Sequence, residues 1–168
     1  MSGEPAPADP IDLAGFLPYR LSVLANRVSR ELAALYAERF GITIPQWRIV
    51  AVLGQQPGVS ADFVCGRTAM DRVTVSRAIA GLVGRRLLIR RNAPADRRRS
   101  MLRLSAAGQR VYAEIVPLAR AYEARLLGRL APAERADLAR ALAALERSVA
   151  ADPGCGEPTA GSAESSGS

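Results

Sequence analysis

Apolar residues recur at three- and four-residue steps near the start of the chain: Leu17, Leu21, Leu24, Val28, Leu32 and Leu35. That spacing keeps one face apolar turn after turn. It predicts one long amphipathic helix, ended near Gly41, whose stripe needs a partner surface. Thr43-Ile-Pro-Gln46 then fits a capping box, with Pro45 tolerated in the first turn of the helix it opens. Trp47, Ile49, Val50 and Leu53 supply the apolar face of that short helix, which ends at Gly54, and Pro57-Gly58 turns the chain.

Ser60 is a good N-cap for a next helix that buries Phe63 and Val64, and Thr68-Ala-Met70 turns into a further helix opening at Asp71. There Val75, Ile79 and Leu82 fall at i, i+4 and i+7 and point to the core. Val73, Ser76, Arg77 and Ala80 are left facing outward, with Arg72 and Thr74 in the first turn. Leu87-Leu-Ile-Arg90 and Met101-Leu-Arg-Leu104 read as two short strands, the second with Leu102 and Leu104 inward and Arg103 outward. Asn92-Ala-Pro-Ala-Asp96 supplies turn residues between them. Ser105 caps a helix running through Val111, Ile115, Leu118, Tyr122, Leu126 and Leu130, which Pro117 should bend. Beyond Pro132 a last amphipathic helix presents Leu138, Leu142, Leu145 and Val149. The first and the last two helices carry more apolar stripe than a small domain covers, so they are expected to pack against a second copy of the chain.

The pattern is mainly α with a small β-hairpin: a winged helix-turn-helix over about 43–104, with dimerisation helices over about 11–40 and 105–150. Residues 1–10 read as a disordered arm and 151–168, rich in Gly and Ser, as a flexible tail. At 168 residues and 49% hydrophobic the chain can bury a real core. No apolar run approaches the length needed to cross a bilayer, and the start is acidic and proline-rich, so a cytoplasmic protein without a membrane partner is expected. Cys65 within a helix and Cys155 in the tail do not suggest a disulfide. The absence of histidine removes the commonest metal ligand, and no metal or cofactor is expected.

Charge sharpens this picture. The formal net charge is +7, yet the window Arg72–Arg103 holds ten arginines and one acid, Asp96, so the excess is local. A clustered basic patch beside a helix with short polar side chains suits phosphate docking plus base readout of double-stranded DNA. Small residues at 73, 76 and 80 let a helix sit deep in a major groove. Arg77 can pair with guanine O6 and N7, and Ser76 or Thr74 can reach a base edge or a phosphate. Taken alone, Arg77 is an ordinary exposed arginine; the preceding helix and the following hairpin reverse that reading. A tip bearing Arg97, Arg98 and Arg99 repels itself unless it meets a polyanion, and such an arginine can enter a narrow A·T-rich minor groove. RNA fits less well, because no aromatic residue lies between Phe63 and Tyr112 to stack unpaired bases.

The order of elements, the recognition helix Asp71–Arg86, Asp96-Arg97-Arg98 in the wing and Leu102-Arg-Leu-Ser-Ala-Ala-Gly108 closing it resemble the multiple-antibiotic-resistance regulator (MarR) family over nearly all of residues 11–150. The resemblance implies a homodimer intertwined through both chain ends, with Arg98 entering the minor groove and Asp96 orienting neighbouring arginines. Ser105 stands where the family often has threonine and keeps the capping hydroxyl. It also implies a small aromatic or phenolic carboxylate effector, held between the dimerisation helices and the DNA-binding lobe. Arg20 and Arg48 are then candidates to grip the carboxylate, and Trp47 to stack on the ring; as alternatives, Trp47 is simple core and the two arginines make intersubunit salt bridges.

Enzymatic chemistry lacks a constellation: there is no histidine, no Gly-rich phosphate loop, no Gly-x-Ser-x-Gly elbow and no paired-cysteine motif, and Asp62 and Asp71 have no catalytic partner. The expected function is a sequence-specific repressor binding a palindromic operator as a homodimer. Two alternatives stand beside it. One is a nonspecific architectural DNA-binding protein; the other is a redox-responsive regulator using Cys65, although the peroxide-sensing members implied by the resemblance carry their cysteine near the start of the first long helix. Cys65 otherwise reads as a small buried hydrophobe.

Overall fold

The computed structural model describes residues 10–93 and 96–151, with the backbone alone at 92, 93, 96–100 and 151. The arm expected over 1–10, apart from Pro10, and the tail with Cys155 therefore lie outside the described residues. The elements run α1 (Leu17–Ala34), α2 (Ala37–Phe40), α3 (Ile44–Gln55), α4 (Ala61–Thr68), α5 (Arg72–Gly84), β1 (Leu88–Ala93), β2 (Asp96–Leu104), α6 (Ala106–Leu127) and α7 (Pro132–Ala151).

The single first helix read from periodicity is two elements. At its end the amides of Leu35 and Tyr36 donate to the carbonyls of Leu32 and Ala33, three residues back, so the last turn tightens. Tyr36 is thereby swung into the core, where it is 1% exposed, and α2 restarts after it to end on Gly41 at φ +61. The apolar repeat continues across the break, so periodicity could not show it.

Local capping chemistry sets the next three helices. The Thr43 hydroxyl accepts from the Gln46 amide while the Gln46 side chain accepts from the Thr43 amide, completing the capping box that starts α3. Ser60 accepts from Phe63 N–H to start α4, and Asp71 from Thr74 N–H to start α5. Between α4 and α5 the chain turns through Ala69 in the left-handed region, φ +51. Gly54 lies inside α3 rather than stopping it, because a Cβ there would meet the Tyr112 ring at 2.4 Å. Phe63, expected inside, is 37% exposed: α4 is two turns long and its core position is taken by Val64.

The hairpin is longer than the two runs of leucines suggested, and both strands extend into the expected turn, with an irregularity at Asn92/Ala93. Leu88 pairs with Leu104 and Arg90 with Leu102. The outer side of β2 is held as well: Leu102 N–H donates to the Val59 carbonyl at 2.8 Å, and Gly58 N–H donates to the Leu102 carbonyl at 2.9 Å. Val59 thus makes a third, one-residue strand that local pattern does not reveal. Leu102 is fully buried among Ile49, Val50, Leu53, Val64, Val75, Ile79 and Leu82.

Ser105 caps α6 through Gly108 N–H, and its own hydroxyl donates to the Arg86 carbonyl at 2.6 Å. Pro117 sits inside α6, which ends at Leu127 rather than running on through Leu130. Contacts divide the chain into two compact units, one up to Tyr122 and one from Glu123 on. In the second unit, α7 leaves Leu138, Leu142, Leu145 and Val149 exposed. In the first, α1 leaves Leu17, Leu21 and Leu24 exposed, so each unit carries the uncovered stripe that the pattern anticipated.

Gly108 reports the tightest junction. A Cβ built there falls 2.0 Å from the Leu87 carbonyl oxygen, a backbone atom that cannot swing away. Gly108→Ala is expected to cost at least about 1–3 kcal/mol in urea unfolding. Gly66→Ala in α4, where a Cβ meets nothing within 4 Å, is expected to be neutral or stabilising by about 0.5–1 kcal/mol.

Candidate nucleic-acid interface

Helix α5 has two faces. Val75, Ala78, Ile79 and Leu82 are buried, and Arg72, Val73, Ser76, Arg77 and Ala80 are exposed, as the periodicity implied. The outward face is short-chained except for its two arginines, a shape that fits a major groove closely. Its two flanks differ. Thr74 and Arg77 line a shallow groove with Thr43, Pro45 and Gln46 at the start of α3. On the other flank Arg72 and Ser76 border a cleft of about 260 Å³ between α4, α5 and β1, with Asp62, Cys65 and Arg90.

Arg72 lies 3.5 Å from Asp62, with both side chains more than three-quarters exposed. Such a pair is worth little in water and exchanges readily for a phosphate. The ten arginines are not one uniform patch. Arg85 donates to the carbonyls of Phe40 and Gly41, tying the end of α5 to the end of α2. Arg86 takes a left-handed backbone, φ +56, and its carbonyl receives the Ser105 hydroxyl. These two serve the fold. Arg90 faces the same side of the hairpin as Leu88, Leu102 and Leu104, which brings it to the rim of the cleft beside Ser76. It was not among the expected contacts, although the two-residue step from Leu88 already places it on that face. The side chains of Asp96, Arg97, Arg98 and Arg99 lie outside the described residues; their backbone belongs to β2.

Comparison with known proteins bears on this arrangement. Residues 40–99 match the MarR family model. Transcriptional regulator HosA of Escherichia coli O111:H- is 27% identical over 120 residues, spanning 67% of this chain and 89% of HosA. The MarR/EmrR family transcriptional regulator of Acinetobacter sp. ADP1 superposes with a TM-score of 0.77 at 25% identity, covering 84% of this chain and 100% of that one. BpsR of Bordetella bronchiseptica, whose DNA binding is regulated by 6-hydroxynicotinic acid, superposes with a TM-score of 0.72 at 27% identity, over 82% and 98% of the two chains. Over residues 40–99 the chain is thus similar to the MarR family, and its fold is that of MarR-family regulators.

Fold and relatives alike are those of winged-helix, DNA-binding transcriptional regulators rather than enzymes. No helix among the described residues is long and apolar enough to cross a membrane. Of the three effector candidates, Trp47 and Arg48 both neighbour Tyr36, whereas Arg20 lies apart from them. Trp47 lies between Tyr36 and Tyr112, with ring centroids 5.6 and 6.4 Å away. Arg48 donates to Ser29 Oγ on α1. Arg20, nine residues before Ser29, is about 13 Å away along α1 and about half a turn round it, beside exposed Leu17 and Leu24. Burial pushes the Tyr36 phenol up to about 12, against the opposing pull of the Arg48 guanidinium. Cys65 is partly buried against the core and also lines the α4–α5 cleft.

In this regulator Asp71 is the exposed carboxylate on which α5 begins. Hydrogen bonds from the Thr74 hydroxyl and then the Thr74 amide hold its pKa below the ordinary 3.8. A carboxyl with a depressed folded pKa adds stability that is complete above 3.8 and is lost as pH falls through the lower folded value. Asp71→Ala is accordingly expected to melt at a lower temperature than wild type at neutral pH, with the gap closing as the pH is taken below 3.8. A gap that stays constant through that acid range would remove the ionised cap as its source.

Proposed function

We propose that this regulator is a repressor that binds a palindromic operator as a homodimer and is released by a small aromatic or phenolic carboxylate. The observation that carries the DNA reading is the exposed face of α5. Arg72, Val73, Ser76 and Arg77 on that face, with Thr74 on its flank, enter the major groove, while Arg97, Arg98 and Arg99, with Asp96 orienting them, serve the wing in the minor groove. The uncovered apolar stripes of α1 and, separately, of α7 support assembly with a second copy, which matches the two-fold symmetry of a palindrome. Regulation of BpsR by 6-hydroxynicotinic acid supports an aromatic acid as the effector class here.

Competition binding on a randomised duplex library tests the DNA reading. Arg77→Ala is expected to flatten sequence preference, costing about 1–3 kcal/mol on the cognate site, whereas Arg98→Ala weakens binding with little change at major-groove positions. Equal discrimination by wild type and Arg77→Ala would take Arg77 out of the readout. Affinity for random duplex equal to that for the best selected site would favour a nonspecific architectural protein.

Release requires the effector to prefer a conformation whose two recognition helices no longer match half-sites about 34–36 Å apart. Operator and effector must then weaken each other reciprocally. If Arg20 or Arg48 holds the carboxylate, alanine at that position is expected to abolish the response to an aromatic acid while sparing DNA affinity in its absence. Isothermal titration of each variant with and without operator measures both; full response in both variants would place the pocket elsewhere.

A further inference from the structure

The hydroxyl proton of Thr74 is already committed. Thr74 Oγ1 donates to Asp71 Oδ2 at 2.6 Å while the Thr74 amide donates to Asp71 Oδ1 at 2.7 Å, so both donors of this residue end on one carboxylate. An ionised carboxylate only accepts and a hydroxyl owns one proton, which fixes the direction of the bond. Toward any third group, Thr74 Oγ1 therefore offers lone pairs alone. Asp71, an exposed carboxyl, is ionised at neutral pH, and these two bonds favour that form further.

We propose that Thr74 determines specificity by accepting a hydrogen bond from the exocyclic amino group of a base, adenine N6 or cytosine N4, in the major groove. The inference rests on α5 being the recognition helix, and it narrows what that helix can read. Amino groups are the only hydrogen-bond donors on major-groove base edges. Guanine O6 and N7, adenine N7, thymine O4 and every phosphate oxygen are acceptors. An acceptor-only oxygen beside an anionic carboxylate is repelled by each of these. Thr74 thus loses the phosphate and guanine contacts that a free hydroxyl could make.

Its neighbour supplies the complement. Arg77, three residues on, lines the same groove flank and can only donate. Residues at that spacing hold their Cβ atoms about 5–6 Å apart. The helix therefore presents an acceptor and then a donor in fixed order, which suits an amino-bearing base beside a guanine. Asp71 acts here as a positioning residue: it touches no base, and it sets which way the Thr74 hydroxyl points.

The test compares full-length wild type, Thr74→Val and Thr74→Ser on a randomised duplex library. Valine keeps the methyl and the amide bond to Asp71 but deletes the hydroxyl, and serine keeps the hydroxyl. Wild type is expected to prefer adenine or cytosine at one position per half-site, by about three- to tenfold. Thr74→Val is expected to lose that preference and Thr74→Ser to keep it. Replacing the selected base by an analogue lacking its amino group is expected to cost wild type the same factor and the valine variant nothing, and the wild-type half of that measurement needs no folded variant. An unchanged preference in Thr74→Val, or a wild type indifferent to removal of the amino group from the selected base pair, overturns the proposal. A thymine preference that survives in Thr74→Val overturns it too and assigns the methyl group instead. A selective wild type with an indifferent Thr74 sinks this inference alone, whereas a wild type with no sequence preference sinks the recognition-helix reading and this inference with it.

Discussion

The backbone of Leu102 holds the two reading elements in register. On one side it pairs with Arg90 of β1, and on the other its amide and carbonyl bond Val59 and Gly58, the residues that lead into α4. Its side chain is fully buried against residues of α3, α4 and α5. A hairpin alone is marginal in water. Here one residue of the hairpin is at once bridged to Val59 and part of the core, which ties the hairpin to the helices. On the proposed reading, helix and wing enter two grooves and need a fixed separation, and that separation passes through this residue.

The parts of the fold that depend on neighbours in sequence were legible. Thr43, Ser60, Asp71 and Ser105 each announce a helix start by side-chain chemistry within three residues, and the buried face of α5 follows from its period. What sequence did not show depends on distant partners. The break before Tyr36 exists because the core behind Trp47 takes a ring. Gly54 is a glycine because Tyr112, 58 positions on, occupies its Cβ space. Phe63 looked like core by type, but a two-turn helix has room for one deep residue and Val64 takes it. The face of the interface was readable in the same way, from Val73, Ser76, Arg77 and Ala80. The arrival of Arg90 beside it depends on the strand register, and the orientation of the Thr74 hydroxyl on the folded geometry of the Asp71 cap.

The clustered charge divides into roles that composition cannot separate. Arg85 and Arg86 lie in the same basic window as Arg77, yet one saturates carbonyls at a helix end and the other turns the chain into β1. Arg72 and Arg90, by contrast, border the cleft between α4, α5 and β1 and are exposed. A dense basic run is thus partly structural cement. The charge facing a polyanion is smaller than the count of arginines suggests, and the expected salt dependence of binding shrinks in proportion.

The clamp of Arg85 on Phe40 and Gly41 makes α5 a lever with one end pinned. The helix is 13 residues long, so its reading end lies about 20 Å from the pin. A tilt of about 3° at the clamp carries the first turn about 1 Å sideways, more than the tolerance of a directed hydrogen bond. The segment that ends at Gly41 follows directly from α1, the helix with the uncovered apolar stripe. Small strains on that segment are therefore geometrically magnified at the first turn of α5, so on the proposed reading a rearrangement too slight to disturb the core can still release the protein from its operator.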